Sequence, residues 1–313
     1  MIFRRKDFIS LMDISAEEIL YILETAETMK HVIGKKNKKS PYLEGKSVIV
    51  LFYEKSVRAK LSYELAAQYL SANIVDIVVS QNGEDSQINN RYENLHEMGR
   101  TIDQMGADFI ICRHPMSGSA KFIAKNVNAS VINAGDGINE NPSQALLDLM
   151  TIKNKKGDFK GLKVAIIGDV ESSRVTRSNI WGLLKLGADV CVSGPPTMIP
   201  PQLDKFGVKV YYNPKDAVKD ADVIMTLRLQ DEYIYGSKLA SFNEYKNFFK
   251  LDETLLSYAS KDAIVMHPGM PHKSIEISTS ILESTRVLMD DQITNGVAVR
   301  MALLYLLSLG MGV

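Results

Sequence analysis

Two α/β domains are predicted from the sequence, each a doubly wound parallel sheet covered by helices, and the two are joined by helices. The chain has 313 residues, which is long for one hydrophobic core and sufficient for two domains. Short β-branched runs alternate with helical runs on both sides of the polar stretch 153–161, KNKKGDFKG. Parallel strands need crossover connections, and their ligands bind at the carboxyl ends of the strands. A ligand cleft between the two domains is therefore expected.

The first domain is predicted over residues 1–140, completed by a C-terminal helix over 290–313. Its first helix follows Ser15, because Ser15 and Glu18 can form a capping box in which each side chain bonds the other residue's backbone N–H. Apolar runs then predict strands over 47–53, 73–79, 107–112 and 130–132. Runs between them predict helices over about 58–70, 93–105 and 117–126. The Leu-rich run at the C-terminus is expected to pack back on this domain.

The second domain is predicted over residues 150–288, after a helix over about 142–153. Its first strand is the run KVAIIG at 163–168. Later β-branched runs predict strands that contain ADVCVS, VKVYY, DVIMTL and AIVM. Parallel strands of this kind are buried on both faces, so helices are expected on each side of the sheet.

Composition argues against several classes of function. Lys plus Arg and Asp plus Glu number 37 each, so the charge balance does not favour nucleic acid or an anionic membrane as a partner. Cys112 and Cys191 lie in apolar runs, which argues against a disulfide framework. The sequence contains no run of about 18 uninterrupted apolar residues. A cytoplasmic protein that binds small molecules is expected.

Charged and polar loops follow the strands of the first domain. The segment 54–60, EKSVRAK, joins a strand to a helix, and a helix N-terminus with an adjacent arginine suits a phosphate group. Arg113 follows the third strand, and the glycine-containing loop 133–144 follows the fourth, with Pro142 suited to the first turn of a helix. Each segment taken alone could equally be a plain connector. His114 suits support of its loop better than a role as a base.

Three more loops follow strands of the second domain. The segment 168–174, GDVESSR, lacks the glycines of a dinucleotide-binding G-x-G-x-x-G loop. Its Arg174 therefore indicates an anionic group of a small ligand instead. The segments 226–230, TLRLQ, and 267–271, HPGMP, follow later strands, and His267 is expected to be structural.

In their order along the chain, these loops resemble those of the aspartate/ornithine carbamoyltransferase family, and of its aspartate branch most closely. The resemblance covers almost the whole chain and includes VINAGDGINENPSQALLDLMTI, SRVTRSNIWGLLKLGADV, DADVIMTLRLQ, DAIVMHPG and QITNGVAVRMALLYLL. It implies transfer of a carbamoyl group from carbamoyl phosphate to L-aspartate, a step of pyrimidine synthesis. It also implies a homotrimer with active sites at subunit boundaries, no metal and no cofactor.

The resemblance implies roles for individual residues as well. Its phosphate-binding positions fall on Ser56, Val57, Arg58, Ala59 and Arg113. Its catalytic positions, which hold the carbonyl oxygen and the amino group of the carbamoyl moiety, fall on Arg58, Arg113, Asn141 and Gln144, aided by backbone groups of Pro268 and Gly269. Its aspartate-binding positions fall on Arg174, Arg228, Gln230 and Arg91, the last of which replaces a lysine that reaches the neighbouring subunit.

Four positions besides Arg91 depart from the family pattern. Val57 and Ala59 replace threonines of the loop S-T-R-T-R, Lys60 replaces its last arginine, and Asn141 replaces a histidine. A lost hydrogen bond to a charged group costs about 1.5–3 kcal/mol. A lost oxyanion donor costs about 10²- to 10³-fold in rate. Weaker use of carbamoyl phosphate is therefore expected.

Three hypotheses stay open at this point. The first is an aspartate carbamoyltransferase with an altered phosphate loop and possible need of a regulatory or dihydroorotase-type partner subunit. The second is a catalytically impaired paralogue that binds an amino acid and acts as a regulatory or structural partner of an active enzyme. The third is a transferase that uses a different acyl phosphate or a different acceptor.

Overall fold

The structure is a computed structural model and describes residues 3–78, 91–229, 239, 241–272 and 274–310. It divides into two compact units, of which unit 1 comprises Met1–Leu147 with Thr294–Val313 and unit 2 comprises Asp148–Ile293. Each unit contains a parallel sheet with helices. The predicted fold class of two parallel-sheet α/β domains is confirmed, whereas the assignment of one ligand to each domain stays a prediction.

Unit 1 is built on a parallel sheet of four described strands. These are β1 Ser47–Phe52, β2 Asn73–Val78, β3 Phe109–His114 and β4 Ser130–Asp136. They pair in the order β2-β1-β3-β4. The helices that begin in this unit are α1 Ala16–Ile33, α2 Val57–Tyr69, α3 Arg91–Gln104, α4 Ser119–Ala124 and α5 Pro142–Lys156. Leu51, Ile110 and Ile123 are buried together in its core, where β1 and β3 pack against α4.

The predicted capping box at the start of α1 is confirmed. The Ser15 hydroxyl accepts a hydrogen bond from the Glu18 N–H at 3.2 Å, and the Glu18 carboxylate accepts one from the Ser15 N–H at 2.8 Å. Arg5 pairs with the same carboxylate at 2.7 Å. These bonds satisfy two backbone donors that a helix N-terminus would otherwise leave exposed.

Two strands of unit 1 extend further than the sequence predicts. β3 includes Arg113 and His114, and β4 continues through Asp136 instead of ending at residue 132. The N–H and carbonyl of Phe8 bond the backbone of Val131 and Asn133. The extension of β4 itself follows from its pairing with β3, which continues past residue 132 through Cys112 and Asn133. After a shift in register, His114 also pairs with Asp136.

Unit 2 is built on a parallel sheet of five described strands. These are β5 Lys163–Ile167, β6 Asp189–Ser193, β7 Lys209–Tyr211, β8 Val223–Thr226 and β9 Ile264–Met266. They pair in the order β7-β6-β5-β8-β9, which confirms the predicted strands. Its helices include α6 Arg174–Lys185, α7 Pro214–Val218, α8 Phe242–Phe249, α9 Glu253–Leu256 and α10 Thr279–Leu282.

The last helix, α11 Met289–Gly310, is the described helix that is long and apolar enough to cross a membrane. An 18-residue window of it has a mean hydropathy of 1.4, and 67% of that window is buried inside the structure. Core helices of globular proteins are apolar on all sides in the same way. Burial therefore identifies α11 as a core helix.

Candidate active site

The order of strands reverses once in each sheet, between β1 and β3 in unit 1 and between β5 and β8 in unit 2. In doubly wound sheets, connections on either side of such a reversal run to opposite faces and open a crevice beyond the carboxyl ends of the two strands. Arginines occupy the carboxyl ends of all four strands or the segments that follow them: Arg58, Arg113, Arg174 and Arg228. Each unit thus has a cationic edge at the place where its fold favours ligand binding.

In unit 1 the segment after β1 leads into a helix whose N-terminus is open to an anion. Val57, Arg58 and Ala59 are the first three residues of α2, and the first backbone bond of the helix runs from the Lys60 N–H to the Ser56 carbonyl. The Ser56 side chain makes no capping hydrogen bond. The N–H groups of residues 57–59 precede the helix's own bonding pattern and carry the positive end of its dipole, which suits a phosphate.

Arg113 is fixed at the end of β3 by two groups of unit 1. Its Nη1 donates to the Ala134 carbonyl of β4 at 3.1 Å, and its Nε lies 3.1 Å from the Glu54 carboxylate after β1. The Arg113 side chain is 14% exposed. A guanidinium held at two points keeps its planar fork in one orientation, and that geometry favours recognition of a phosphate.

Lys60 does not extend this cationic edge. Its ammonium group forms an ion pair with the carboxylate of Asp76 on β2. Next to it, the Val57 side chain is 81% exposed at the start of α2. The charge of Lys60 is thus paired within unit 1, and the first residue of α2 offers no side-chain hydrogen-bond donor.

The loop between β4 and α5 is organised by the buried carboxylate of Asp136. This carboxylate accepts hydrogen bonds from the Gly118 N–H at 2.6 Å, the Asn133 amide at 2.8 Å and the Glu140 N–H at 3.2 Å. Gly137 adopts a φ of +51°, in the left-handed region that favours glycine. The network fixes the path of the chain into α5.

Asn141 immediately precedes α5 and is buried. Its backbone carbonyl accepts from the N–H of Gln144 at 3.1 Å, and its side-chain oxygen accepts from the Ser143 hydroxyl at 3.3 Å. Gln144 lies in the first turn and is half-buried. Pro142 begins the helix, as its lack of an N–H predicts.

His114 supports its loop, as the sequence indicates. The residue is buried, and its Nδ1 accepts a hydrogen bond from the Met116 N–H at 3.0 Å and lies 2.9 Å from the Ser119 hydroxyl. The ring packs edge-on against Tyr53 with centroids 4.6 Å apart. Burial raises the pKa of Tyr53 to about 12, so this phenol stays protonated and uncharged at neutral pH.

In unit 2, β5 ends at a glycine that the local packing requires. Gly168 has a φ of +135°, and a Cβ built on it would lie 2.9 Å from the Cβ of Leu227. This close approach lets the segments after β5 and β8 run side by side. Arg174 then begins α6, whose N-cap residue Ser173 accepts a hydrogen bond from the Thr176 N–H at 3.1 Å.

Arg228 follows β8 and is exposed, whereas Leu227 and Leu229 on either side of it are buried. The Leu227 N–H bonds the Ile167 carbonyl at 2.8 Å, so this segment remains tied to β5. The two buried leucines on either side hold the backbone, and Arg228 between them faces solvent beyond the carboxyl end of β8.

Pro268 and Gly269 follow β9 and are half-buried. His267 before them is buried, and its Nδ1 accepts a hydrogen bond from the Gly269 N–H at 3.1 Å. Its Nε2 lies 2.9 Å from the Glu276 carboxylate. The prediction that His267 is structural is confirmed.

The predicted site residues are thus distributed over both units. Ser56, Val57, Arg58, Ala59, Arg113, Asn141 and Gln144 belong to unit 1, and Arg174, Arg228, Pro268 and Gly269 belong to unit 2. Arg91 is the first residue of α3, although its side chain lies outside the described atoms. Gln230 lies outside the described residues. In the described part of the chain, no cluster of three or more His, Cys, Asp or Glu side chains could hold a metal ion.

Sequence reasoning missed two organising carboxylates, Asp136 and Glu276. Both are buried acidic residues, at 1% exposure in each case. Asp136 lies in the quoted segment GDG, where an acid between two glycines could have signalled a loop-fixing role. Glu276 lies in the segment IEIS, between two apolar residues, and carries no local signal of this kind.

Two family profiles match nearly the whole chain. The profile of the aspartate/ornithine carbamoyltransferase carbamoyl-P binding domain matches residues 6–154. The profile of the Asp/Orn binding domain of the same family matches residues 160–307.

Individual relatives agree with these profiles. The aspartate carbamoyltransferase catalytic subunit of Acetivibrio thermocellus is 54% identical over 308 residues, which cover 98% of this chain and 97% of that protein. The catalytic subunit of Ruminiclostridium cellulolyticum is 53% identical and covers 97% of this chain and 96% of its own length.

Solved structures are similar throughout as well. Ornithine carbamoyltransferase from Pyrococcus furiosus superposes with a TM-score of 0.84 at 30% identity, covering 98% of each chain. Aspartate transcarbamoylase from Trypanosoma cruzi, in complex with N-(phosphonacetyl)-L-aspartic acid, superposes with a TM-score of 0.82 at 27% identity, covering 97% of each chain. The chain therefore belongs to the aspartate/ornithine carbamoyltransferase family.

Proposed function

We propose that this chain transfers the carbamoyl group of carbamoyl phosphate to the amine of L-aspartate, a step of pyrimidine synthesis. The observation that carries the proposal is the cationic edge at the reversal of each sheet. In unit 1, Arg113 is anchored to Ala134 and to Glu54 in the segment that leads into α2, and the N-terminus of α2 has no side-chain cap, which suits a phosphate. In unit 2, Arg174 and Arg228 belong to the segments after β5 and β8, and two arginines suit a dicarboxylate. The relatives named as aspartate carbamoyltransferase catalytic subunits support the same substrates.

The proposed reaction is a single acyl transfer. The amine nitrogen of aspartate bonds to the carbonyl carbon of carbamoyl phosphate, the bond from that carbon to the phosphate oxygen breaks, and one amine proton passes to the departing phosphate. Negative charge develops on the carbonyl oxygen and on the leaving phosphate. Arg58, Arg113 and the neutral amide of Asn141 are the donors proposed to stabilise it.

The remaining proposed contacts hold the two substrates in place. Gln144 and backbone groups of Pro268 and Gly269 hold the carbamoyl amino group. Arg174, Arg228 and Gln230 hold the carboxylates of aspartate. Arg91 is proposed to act from a neighbouring subunit of a homotrimer, and neither a metal nor a cofactor is invoked. A further partner subunit and a cytoplasmic location stay predictions.

A second candidate function is favoured by the altered phosphate loop. Val57 exposes an apolar side chain where the family has a threonine, and the charge of Lys60 is paired with Asp76. A chain that binds aspartate but turns over carbamoyl phosphate slowly could act as an amino-acid-binding, regulatory or structural paralogue. The same changes also fit the third hypothesis, a transferase that uses a different acyl phosphate or a different acceptor.

One assay separates these candidates. The purified full chain is given carbamoyl phosphate and aspartate, beside the triple variant Val57→Thr, Ala59→Thr, Asn141→His. Turnover by the natural chain that N-(phosphonacetyl)-L-aspartate inhibits supports the proposed enzyme. Turnover by the triple variant alone supports the impaired paralogue, and aspartate binding without turnover in either protein supports another acyl donor.

The control variant is Val75→Thr, which makes the same type of replacement at an exposed valine of β2. It is expected to match the natural chain in both KM values and in kcat. A change in the control as large as that in the triple variant would show that the effect does not depend on the phosphate loop.

A further inference from the structure

Two substrate-side loops of unit 2 meet at one buried carboxylate. The segment after β8 carries Arg228, and the segment after β9 carries Pro268 and Gly269, and these two strands are neighbours in the sheet. Glu276 lies beneath both segments, with a side chain that is 0% exposed. An unpaired buried carboxylate is costly, so its partners define its role.

The Glu276 carboxylate bonds to both segments. Its Oε1 accepts from the Leu229 N–H at 2.6 Å, directly after Arg228. Its Oε2 accepts from the His272 N–H at 3.0 Å and lies 2.9 Å from the His267 Nε2. One carboxylate therefore ties the segment after β8 to both ends of the 267–272 loop.

The His267 ring links Glu276 to the Pro268–Gly269 turn, because its two nitrogens contact one residue each. Because an ionised carboxylate only accepts, the His267 Nε2 carries a proton and donates to Glu276, while Nδ1 lies 3.1 Å from the Gly269 nitrogen and 3.0 Å from its carbonyl oxygen. The His267 side chain is also 0% exposed, so water does not compete for either bond. The conformation of the turn thus depends on Glu276 through the histidine.

We propose that Glu276 is a positioning residue for the substrate contacts of unit 2, because it holds the 228–229 segment and the 267–272 loop in one geometry. The proposal rests on the proposed function, since it assigns these two segments to substrate. Glu276 itself reaches no substrate, because its carboxylate is fully buried beneath the two backbones. Its expected effect is on the placement of Arg228 and of the turn, while the phosphate-binding groups belong to unit 1.

The test variant is Glu276→Gln, which keeps size and removes charge. A glutamine offers one acceptor oxygen and one NH₂ donor, so it cannot accept from the Leu229, His272 and His267 donors together. We expect KM for aspartate to rise about tenfold or more through the displaced Arg228. KM for carbamoyl phosphate should rise less, because the turn meets only its amino group while the proposed phosphate contacts belong to unit 1. General damage to the fold would instead lower the fraction of active enzyme and reduce kcat with both KM values unchanged.

A second variant and a control complete the kinetic test. His267→Asn keeps an acceptor near the position of Nδ1 for the Gly269 N–H and loses the reach to Glu276, so it is expected to raise KM for aspartate in the same direction. Glu283→Gln makes the same chemical change at an exposed position after α10 and is expected to have no effect. An unchanged KM for aspartate in Glu276→Gln, or an equal effect in Glu283→Gln, would overturn the proposal.

Hydrogen exchange separates failure of this inference from failure of the proposed function. The amides of Leu229 and His272 are expected to exchange at least about tenfold faster in Glu276→Gln than in the natural chain, whether or not the chain turns over. Unchanged exchange at both amides would overturn the positioning role even in an active enzyme. Faster exchange in a chain without carbamoyltransferase activity would support the role and reject the function.

Discussion

The pairing of Lys60 bears on the affinity of the proposed site for carbamoyl phosphate. The family resemblance assigns a phosphate-facing arginine to this position, yet the ammonium group here pairs with Asp76. Both side chains are only partly exposed, at 27% and 31%, so their attraction is screened less than that of a fully exposed pair. The Asp76 carboxylate therefore offsets much of the attraction that Lys60 would exert on a bound phosphate.

Releasing that charge should strengthen binding of carbamoyl phosphate. Asp76→Asn removes the carboxylate and keeps its shape, so we expect KM for carbamoyl phosphate to fall by about threefold at low salt, with a smaller change at high salt. Steady-state kinetics at two ionic strengths measure this. The matched control is Asp189→Asn, which breaks the exposed pair with Lys209 in unit 2. A KM that stays constant or rises in Asp76→Asn contradicts the interpretation of Lys60.

The two thiols are expected to be unreactive in the folded chain. Cys112 in β3 and Cys191 in β6 are buried, and burial disfavours the thiolate. It raises the pKa of Cys191 to about 11 and that of Cys112 further still. At pH 8, which is below both pKa values, the two thiols are protonated. A thiol reagent should therefore label neither cysteine in the native protein and both cysteines in denaturant. Rapid labelling of either cysteine in the native chain would contradict the burial of its strand.

The turn between β5 and α6 depends on a residue without a side chain. Gly168 combines a φ of +135° with close contact to Leu227, so alanine there would be strained in its backbone and would clash. An added methyl group would displace Leu227, and Arg228 is the next residue in the same segment. Stability and aspartate binding are therefore coupled at this turn.

Gly168→Ala is expected to lower the free energy of unfolding by about 2–4 kcal/mol and to raise KM for aspartate. Denaturant titration and steady-state kinetics measure the two effects. Gly157→Ala is the matched control, because Gly157 has a φ of +83° with open space around its Cα, and only the backbone cost of about 1–2 kcal/mol applies. Equal effects of the two variants would show that contact with Leu227 is unimportant.

Much of the molecule follows from local sequence. Hydrophobic periodicity, turn residues and caps predict the alternation of strands and helices. The N-cap at Ser15 is confirmed, and the helix predicted from about residue 142 begins at Pro142. The loops that carry candidate site residues were predictable for the same reason, since they follow recognisable strands. The end of β4 was not, because its last residues pair with the end of β3, Cys112 with Asn133 and His114 with Asp136, and such a pairing leaves no local pattern in the sequence.

The contacts that tune the site could not be predicted. Lys60 and Asp76 meet across a helix and a strand, and Glu276 meets Leu229 across 47 positions of sequence. No periodicity in a single chain records such pairings. Three-dimensional packing selects them, and they decide how charge and backbone are arranged around the substrates.

The proposed function requires this chain to bind a phosphate through Arg113 and a dicarboxylate through Arg228 at the same time. Calorimetric titration of the full chain with N-(phosphonacetyl)-L-aspartate, which carries both groups, measures it most directly. We predict saturable binding that weakens by about 10²-fold or more in Arg113→Ala and separately in Arg228→Ala. Absence of binding to the natural chain, or binding that neither substitution weakens, would contradict the claim.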